Sequence, residues 1–229
     1  MENKDLDEFH EEATSESSNT SDTAQTAPCD FSESERSVKA RTANKDTLTF
    51  LHDAIIVITG VLLVFMLLFK VIVVQGPSMK RTFMNGDVVL LLNNVLFNDY
   101  DQGDVVVFSK SNFKNGQPVI KRVIATEGQM VDIDFDAGVV YVDGIKLDEP
   151  YVNTPTTLRE GLVFPIRVNK DCIFVMGDNR NESKDSRSPE IGQVDTREVM
   201  GKALFLAFPG KEADTNERKF DRIGVISHG

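Results

Sequence analysis

Residues 119–125 read VIKRVIA, four β-branched side chains around the adjacent pair Lys121–Arg122. A run so short and so rich in Val and Ile is the mark of a strand rather than of a helix. Similar runs recur on both sides: VVLLL at 88–92, VVVF at 105–108, MVDIDF at 130–135, VVYV at 139–142, CIFVM at 172–176 and ALFLAF at 203–208. Turn signals between them, DAG at 136–138 and VDG at 142–144, predict hairpins. No amphipathic helical stretch of comparable strength competes, and no internal repeat is visible. The reading is a mainly β, antiparallel domain over residues 75–210, followed by a polar C-terminal segment at 211–229.

Upstream the character changes twice. Ala54 to Val74, AIIVITGVLLVFMLLFKVIVV, holds 21 residues with one charge, Lys70. At about 1.5 Å per residue that length crosses about 30 Å of hydrocarbon, which predicts one transmembrane helix over 54–74. A cleaved leader is disfavoured, since acidic residues rather than a short basic region precede the apolar stretch. Lys39, Arg41 and Lys45 on one side balance Lys70, Lys80 and Arg81 on the other, so charge does not decide the orientation. Residues 1–46 are rich in Ser, Thr, Glu and Asp with few large apolar side chains, and are expected to form a disordered acidic tail.

Splitting the charge removes one class of partner. Of the formal net charge of −11, residues 1–53 hold 13 acidic and 5 basic side chains, so the remainder is nearly balanced. Nucleic-acid binding needs clustered Lys and Arg, and none is present. The three histidines, His10, His52 and His228, all lie outside the expected β-domain. A His-rich zinc site and a Ser-His-Asp triad are therefore not expected, and neither a metal nor another cofactor is called for. Any nucleophile must use Lys, Asp or Glu as its base. Cys29 and Cys172 fall on opposite sides of the membrane segment, which predicts no disulfide, and Cys172 within an apolar run reads as a small buried hydrophobe.

Four segments stand out by composition: QGPSMKRTFMNGD at 75–87, QGDVVVF at 102–108, VIKRVIATEG at 119–128 and GDNRNESKDSR at 177–187. Singly, each could be a turn or a solvated loop. Together, and in this order behind a membrane segment, they resemble the bacterial type I signal peptidases, the leader peptidase family. That pattern runs Gly-x-Ser-Met, Gly-Asp-x-Val-Val, Lys-Arg and Gly-Asp-Asn-Arg-x-x-Ser-x-Asp-Ser-Arg. The last box is complete here as Gly177, Asp178, Asn179, Arg180, Ser183, Asp185, Ser186 and Arg187, with Gly192 beyond it. The likeness covers roughly residues 54–208.

The resemblance implies a coiled antiparallel β-sheet catalytic domain behind a single-pass anchor. It further implies a membrane-bound serine endopeptidase on the extracytoplasmic side of the cytoplasmic membrane, cutting N-terminal signal peptides from exported preproteins. Its partners would be those signal peptides and membrane lipid. By position, Ser78 is the expected nucleophile, Lys121 its base and Ser183 the residue that orients the lysine. Asp178, Asp185, Arg122 and Arg187 are the expected scaffold. Val74, Met79, Phe83 and Ile120 would line shallow pockets for small residues, Ala-x-Ala before the cut. The chemistry is independent of the family: a serine hydroxyl needs a neighbour to take its proton. A lysine does so only when burial among apolar groups such as Val119, Ile120, Val123 and Ile124 depresses its pKa.

Three positions depart from the common pattern: Arg81 stands where many members carry Pro, Glu127-Gly128-Gln129 where many carry Pro-Gly-Asp, and Gly76 where some carry a serine that donates to the oxyanion. The oxyanion donors are then expected to be the backbone N–H groups of Ser78 and Gly76. Two rival readings are weaker. A self-cleaving repressor-type Ser-Lys protease lacks the membrane segment and the Gly-Asp-Asn-Arg box, and a silent binding domain would not need Ser78, Lys121 and Ser183 together.

Overall fold

The computed structural model describes residues 31–96, 99–212 and 216–226. His10, Cys29, His228 and residues 1–30 of the expected tail lie outside them. The chain divides into two units, residues 1–54 and 55–229, and the second holds every strand.

One helix, α1 (Phe31–Leu68), precedes the strands. Its segment Lys45–Leu68, 24 residues, is long and apolar enough to cross a membrane. The large apolar side chains between Leu48 and Leu67 stay exposed all round, as the apolar surface of a helix bathed in lipid would be. The helix begins earlier than the sequence suggested, so residues 31–46 are helical where a disordered tail was expected. Extending an existing helix costs far less than nucleating one, and Glu, Arg, Lys and Ala among these residues favour the extension.

The helix also ends earlier. Residues expected to finish the transmembrane span at 74 instead form strand β1 (Phe69–Val73). It pairs antiparallel with β2 (Val88–Asn93) from Phe69 opposite Leu92 to Val73 opposite Val88. The β-branched run at 71–73 satisfies its backbone there in a ladder, and β1 becomes the edge of the larger sheet.

The remaining strands are β3 (Val105–Phe108), β4 (Val119–Ala125), β5 (Met130–Asp134), β6 (Val139–Val142), β7 (Ile145–Lys146), β8 (Ile166–Arg167), β9 (Cys172–Met176), β10 (Val194–Asp195), β11 (Val199–Phe208) and β12 (Gly224–Val225). Every pairing is antiparallel. One sheet runs β1-β2-β11-β3-β4-β9-β10, with β12 on β11; a second runs β7-β6-β5-β8. Both expected hairpins form, at β5–β6 and β6–β7.

All seven residues of β4 are buried, because its neighbours β3 and β9 carry continuous apolar runs and its own side chains feed three apolar clusters. Each fully buried Val, Ile or Phe contributes about 1.5–3 kcal/mol, so β4 is a rigid base for whatever it carries. Its register matters for the site: Arg122 stands opposite Met176, which brings the residues just after β9 alongside Lys121 and Arg122. A second arrangement brings up the serine. Residues 74–87 leave and rejoin the β1–β2 ladder, closed at the base by Val74 N–H to Asp87 O (2.8 Å) and Gly86 N–H to Val74 O (2.8 Å), and Ser78 rides on this excursion.

The C-terminal segment differs from the polar end expected over 211–229. Residues 216–226 return to the sheet, where β12 pairs with β11 and Ile226 enters the same apolar cluster as Met79 and Phe83.

Candidate active site

Lys121 lies near the middle of β4, 2 % exposed. Its Nζ donates to Ser78 Oγ at 2.7 Å and to the Ile120 carbonyl at 2.9 Å. Burial lowers the ammonium from its ordinary 10.5 to about 8, against the opposing pull of Asp185, Asp178 and Glu160. A neutral amine within hydrogen-bond reach of a hydroxyl is a competent general base.

Ser78 is held through its backbone. The Asn179 N–H donates to the Ser78 carbonyl at 3.0 Å, and Asn179 Nδ2 donates to the Pro77 carbonyl at 3.1 Å. Thr82, one turn on, donates its hydroxyl to Asp178 Oδ2. Sequence reasoning placed Asn179 in the box but gave it no task, and passed over Thr82; a side chain that binds the backbone of a distant segment leaves no trace in local pattern.

The four expected scaffold residues come together as two buried ion pairs. Arg122 forks onto Asp178 through Nε and Nη2, both at 2.9 Å, reaches the Gly103 carbonyl at 2.8 Å and lies 4.0 Å from the centre of the Tyr151 ring. Arg187 forks onto Asp185 at 2.8 and 2.9 Å and donates to the Leu158, Arg180 and Ser183 carbonyls. Charges buried this deeply persist only when every donor and acceptor finds a partner, and these two pairs meet that condition.

Two expectations come out differently. The Ser183 hydroxyl donates to Asp185 Oδ2 at 2.8 Å, and among the described residues no hydrogen bond links it to Lys121. A carboxylate outcompetes an amine as acceptor for a hydroxyl proton, and the lysine is occupied by Ser78 and Ile120. Gly76 donates its N–H to Asn85 Oδ1 at 3.1 Å, so this donor is committed to closing the 76–85 turn. The Ser78 N–H has no hydrogen-bond partner among the described residues.

Val74, Met79, Phe83 and Ile120 share one apolar cluster that includes the residue after Ser78 and the residue before Lys121. They are at most 6 % exposed, so all four lie almost wholly in the core beside Ser78 and Lys121. Cys172, at the start of β9, is partly buried and packed against another cluster, and burial pushes its thiol up, away from the reactive thiolate.

Gly177 explains how tightly the two halves fit. A Cβ there would lie 2.5 Å from the Ser78 carbonyl and closer still to the Ser183 side chain. Since one of these atoms is backbone, Gly177→Ala must displace the serine segment from Lys121. A misplacement of about 1 Å costs on the order of 100-fold in rate. Steady-state kinetics are expected to show a fall of that size in kcat with circular dichroism unchanged.

A family model described as "Signal peptidase, peptidase S26" matches residues 47–208. Signal peptidase I S of Bacillus subtilis is 31% identical over 179 residues, spanning 73% of this chain and 92% of the relative. A probable signal peptidase I-1 of Synechocystis is 36% identical over 143 residues, spanning 59% of this chain and 69% of the relative. The crystal structure of a signal peptidase I from Enterococcus faecalis is 29% identical and covers 45% of this chain and 96% of that chain, with a TM-score of 0.37.

Proposed function

The chain belongs to the signal peptidase family S26 and is a serine endopeptidase acting on signal peptides, and from that premise we propose that it works by a Ser78–Lys121 dyad. The observation that carries this reading is the buried Lys121 amine, lowered to about 8, lying 2.7 Å from Ser78 Oγ.

In the forward step neutral Lys121 takes the hydroxyl proton as Ser78 Oγ bonds to the scissile carbonyl carbon. The Ser78 N–H faces the oxygen that gains charge. Collapse breaks the C–N bond, and Lys121 returns its proton to the leaving amine. A water molecule then gives a proton to Lys121 as it attacks the ester carbon, and as the C–O bond to Ser78 breaks Lys121 returns that proton to Ser78 Oγ, restoring both groups. Asp178 and Asp185, each bound to an arginine, fix the frame in which these transfers occur.

The family membership supports a preference for small side chains, Ala-x-Ala, before the cut, with the apolar cluster of Val74, Met79, Phe83 and Ile120 beside the dyad as the region that would receive them. Lys45–Leu68 is the anchor in this reading, a single pass that leaves the catalytic domain on the extracytoplasmic side of the cytoplasmic membrane. There it meets preproteins as their signal peptides emerge, beside membrane lipid.

The test is the pH dependence of kcat on a preprotein. Only the neutral amine is active, so the rate should climb with pH and level off above about 8, the value set by burial of Lys121. A plateau already reached at an imidazole-like value of about 6.5 would contradict a lysine base.

A further inference from the structure

Asp87 closes the excursion that carries Ser78 and is fully buried, yet no step of the reaction uses it. Its carboxylate gathers donors from three places. Met84 N–H donates to Oδ2 at 2.7 Å from within the excursion, and Gly210 N–H donates to Oδ1 at 2.6 Å from the end of β11. The third donor comes from far along the chain: Arg222 donates Nη1 to Oδ1 at 3.1 Å and Nη2 to Oδ2 at 2.6 Å. The same Nη2 also donates to the Thr82 carbonyl at 3.2 Å. Thr82 is thus gripped from two sides, its hydroxyl by Asp178 and its carbonyl by Arg222.

Packing follows the same plan. A Cβ at Gly210 would lie 2.7 Å from Gly86 C and 2.8 Å from Asp87 N, so this stretch of chain sits directly on the 85–87 turn. Ile226 joins Met79 and Phe83 in the apolar cluster, and its N–H donates to Leu204 O at 3.0 Å. The strap's own members in these contacts, Gly210, Arg222 and Ile226, lie beyond the family-matched 47–208.

We infer that Arg222 is a positioning residue for the nucleophile: through the Asp87 carboxylate and the Thr82 carbonyl, the C-terminal strap of residues 216–226 sets the distance between Ser78 and Lys121. The inference rests on the reading of Ser78 as nucleophile. A guanidinium suits the task because its planar fork holds a carboxylate with two nitrogens and still offers a hydrogen to a carbonyl. An ammonium is a point donor and cannot reproduce that geometry.

The experiment compares full-length wild type, Arg222→Ala, Arg222→Lys and Ser78→Ala in detergent, with kcat and KM measured on one signal-peptide substrate. Arg222→Ala is expected to lower kcat by about 10–100-fold while KM changes by less than about threefold, because orientation rather than binding is disturbed. Arg222→Lys keeps a cation against Asp87 and so keeps the fold, and its kcat should fall between the other two. Wild-type kcat in Arg222→Lys, or a loss carried wholly by KM in either variant, would overturn the inference; so would a lowered melting temperature with unchanged kcat. Should Arg222→Ala fail to fold, the lysine variant alone decides. Ser78→Ala separates the two levels: if it stays active, the nucleophile assignment fails, whereas if it is inactive and the Arg222 variants match wild type, only the strap's role fails.

Discussion

Ser78→Ala, Lys121→Ala and the double variant will each lose about the same activity, roughly 10⁴–10⁶-fold in kcat. Groups that act as one unit behave this way, because removing either member already abolishes the step that both serve. The geometry gives the reason. Ser78 Oγ accepts its 2.7 Å hydrogen bond from Lys121, and the carboxylates near the lysine, Asp178 and Asp185, are engaged by Arg122 and Arg187. Among the described residues the sole histidine is His52, exposed within α1. Among the described residues no base other than Lys121 is hydrogen-bonded to Ser78 Oγ, so the single variants should fall to the same background. Lys121→Arg should fall with them, since a guanidinium does not deprotonate in proteins. Progress curves on a preprotein, read at high enzyme concentration, measure losses of this size. Losses that multiply in the double variant would mean two independent contributions and would sink the dyad.

Much of the fold was legible because strands in this chain are short β-branched runs with turn residues between them, and a pattern of that kind is local. The limits were equally physical. The run at 69–74, apolar but for Lys70, is continuous with the helix, and an apolar run by itself does not distinguish a helix from a buried strand. What makes 69–73 a strand is its partner at 88–92, which periodicity does not register. Arg222 was passed over for the same reason, its carboxylate partner Asp87 being far away in sequence. In the site, the resemblance of four segments to a known family marked Ser78, Lys121 and the Gly177–Arg187 box. It did not reveal that Asn85 occupies the Gly76 N–H, or that the Ser183 hydroxyl turns to Asp185. Those are competitions among neighbouring donors and acceptors, decided by angles and distances that residue identity leaves open.

Replacing Lys121 by the near-isosteric Met should make the protein inactive and, at neutral pH, more stable by about 3 kcal/mol. Burial lowers the lysine from its ordinary 10.5 to about 8 in the folded chain. The unfolded chain therefore binds the proton more tightly than the folded one. Between about pH 8 and 10.5 the unfolded state holds more protons, and stability must rise with pH across that window. Below about 8 both states are charged, and the native protein bears the full cost of holding an ammonium in an apolar site. Each tenfold change in that proton equilibrium is worth about 1.4 kcal/mol, which gives the figure stated. Met fills the same volume without charge and escapes the cost, so its advantage should be largest at neutral pH and shrink towards zero by about pH 10.5. Tyrosine ionisation also alters stability in that alkaline range, but it affects wild type and variant alike and cancels in their difference. Thermal unfolding of both proteins in the same detergent, at neutral and at alkaline pH, measures the gap. A gap of constant size would show that packing rather than the lysine's charge sets the difference, and a variant less stable at neutral pH would show that the amine is comfortably solvated where it sits.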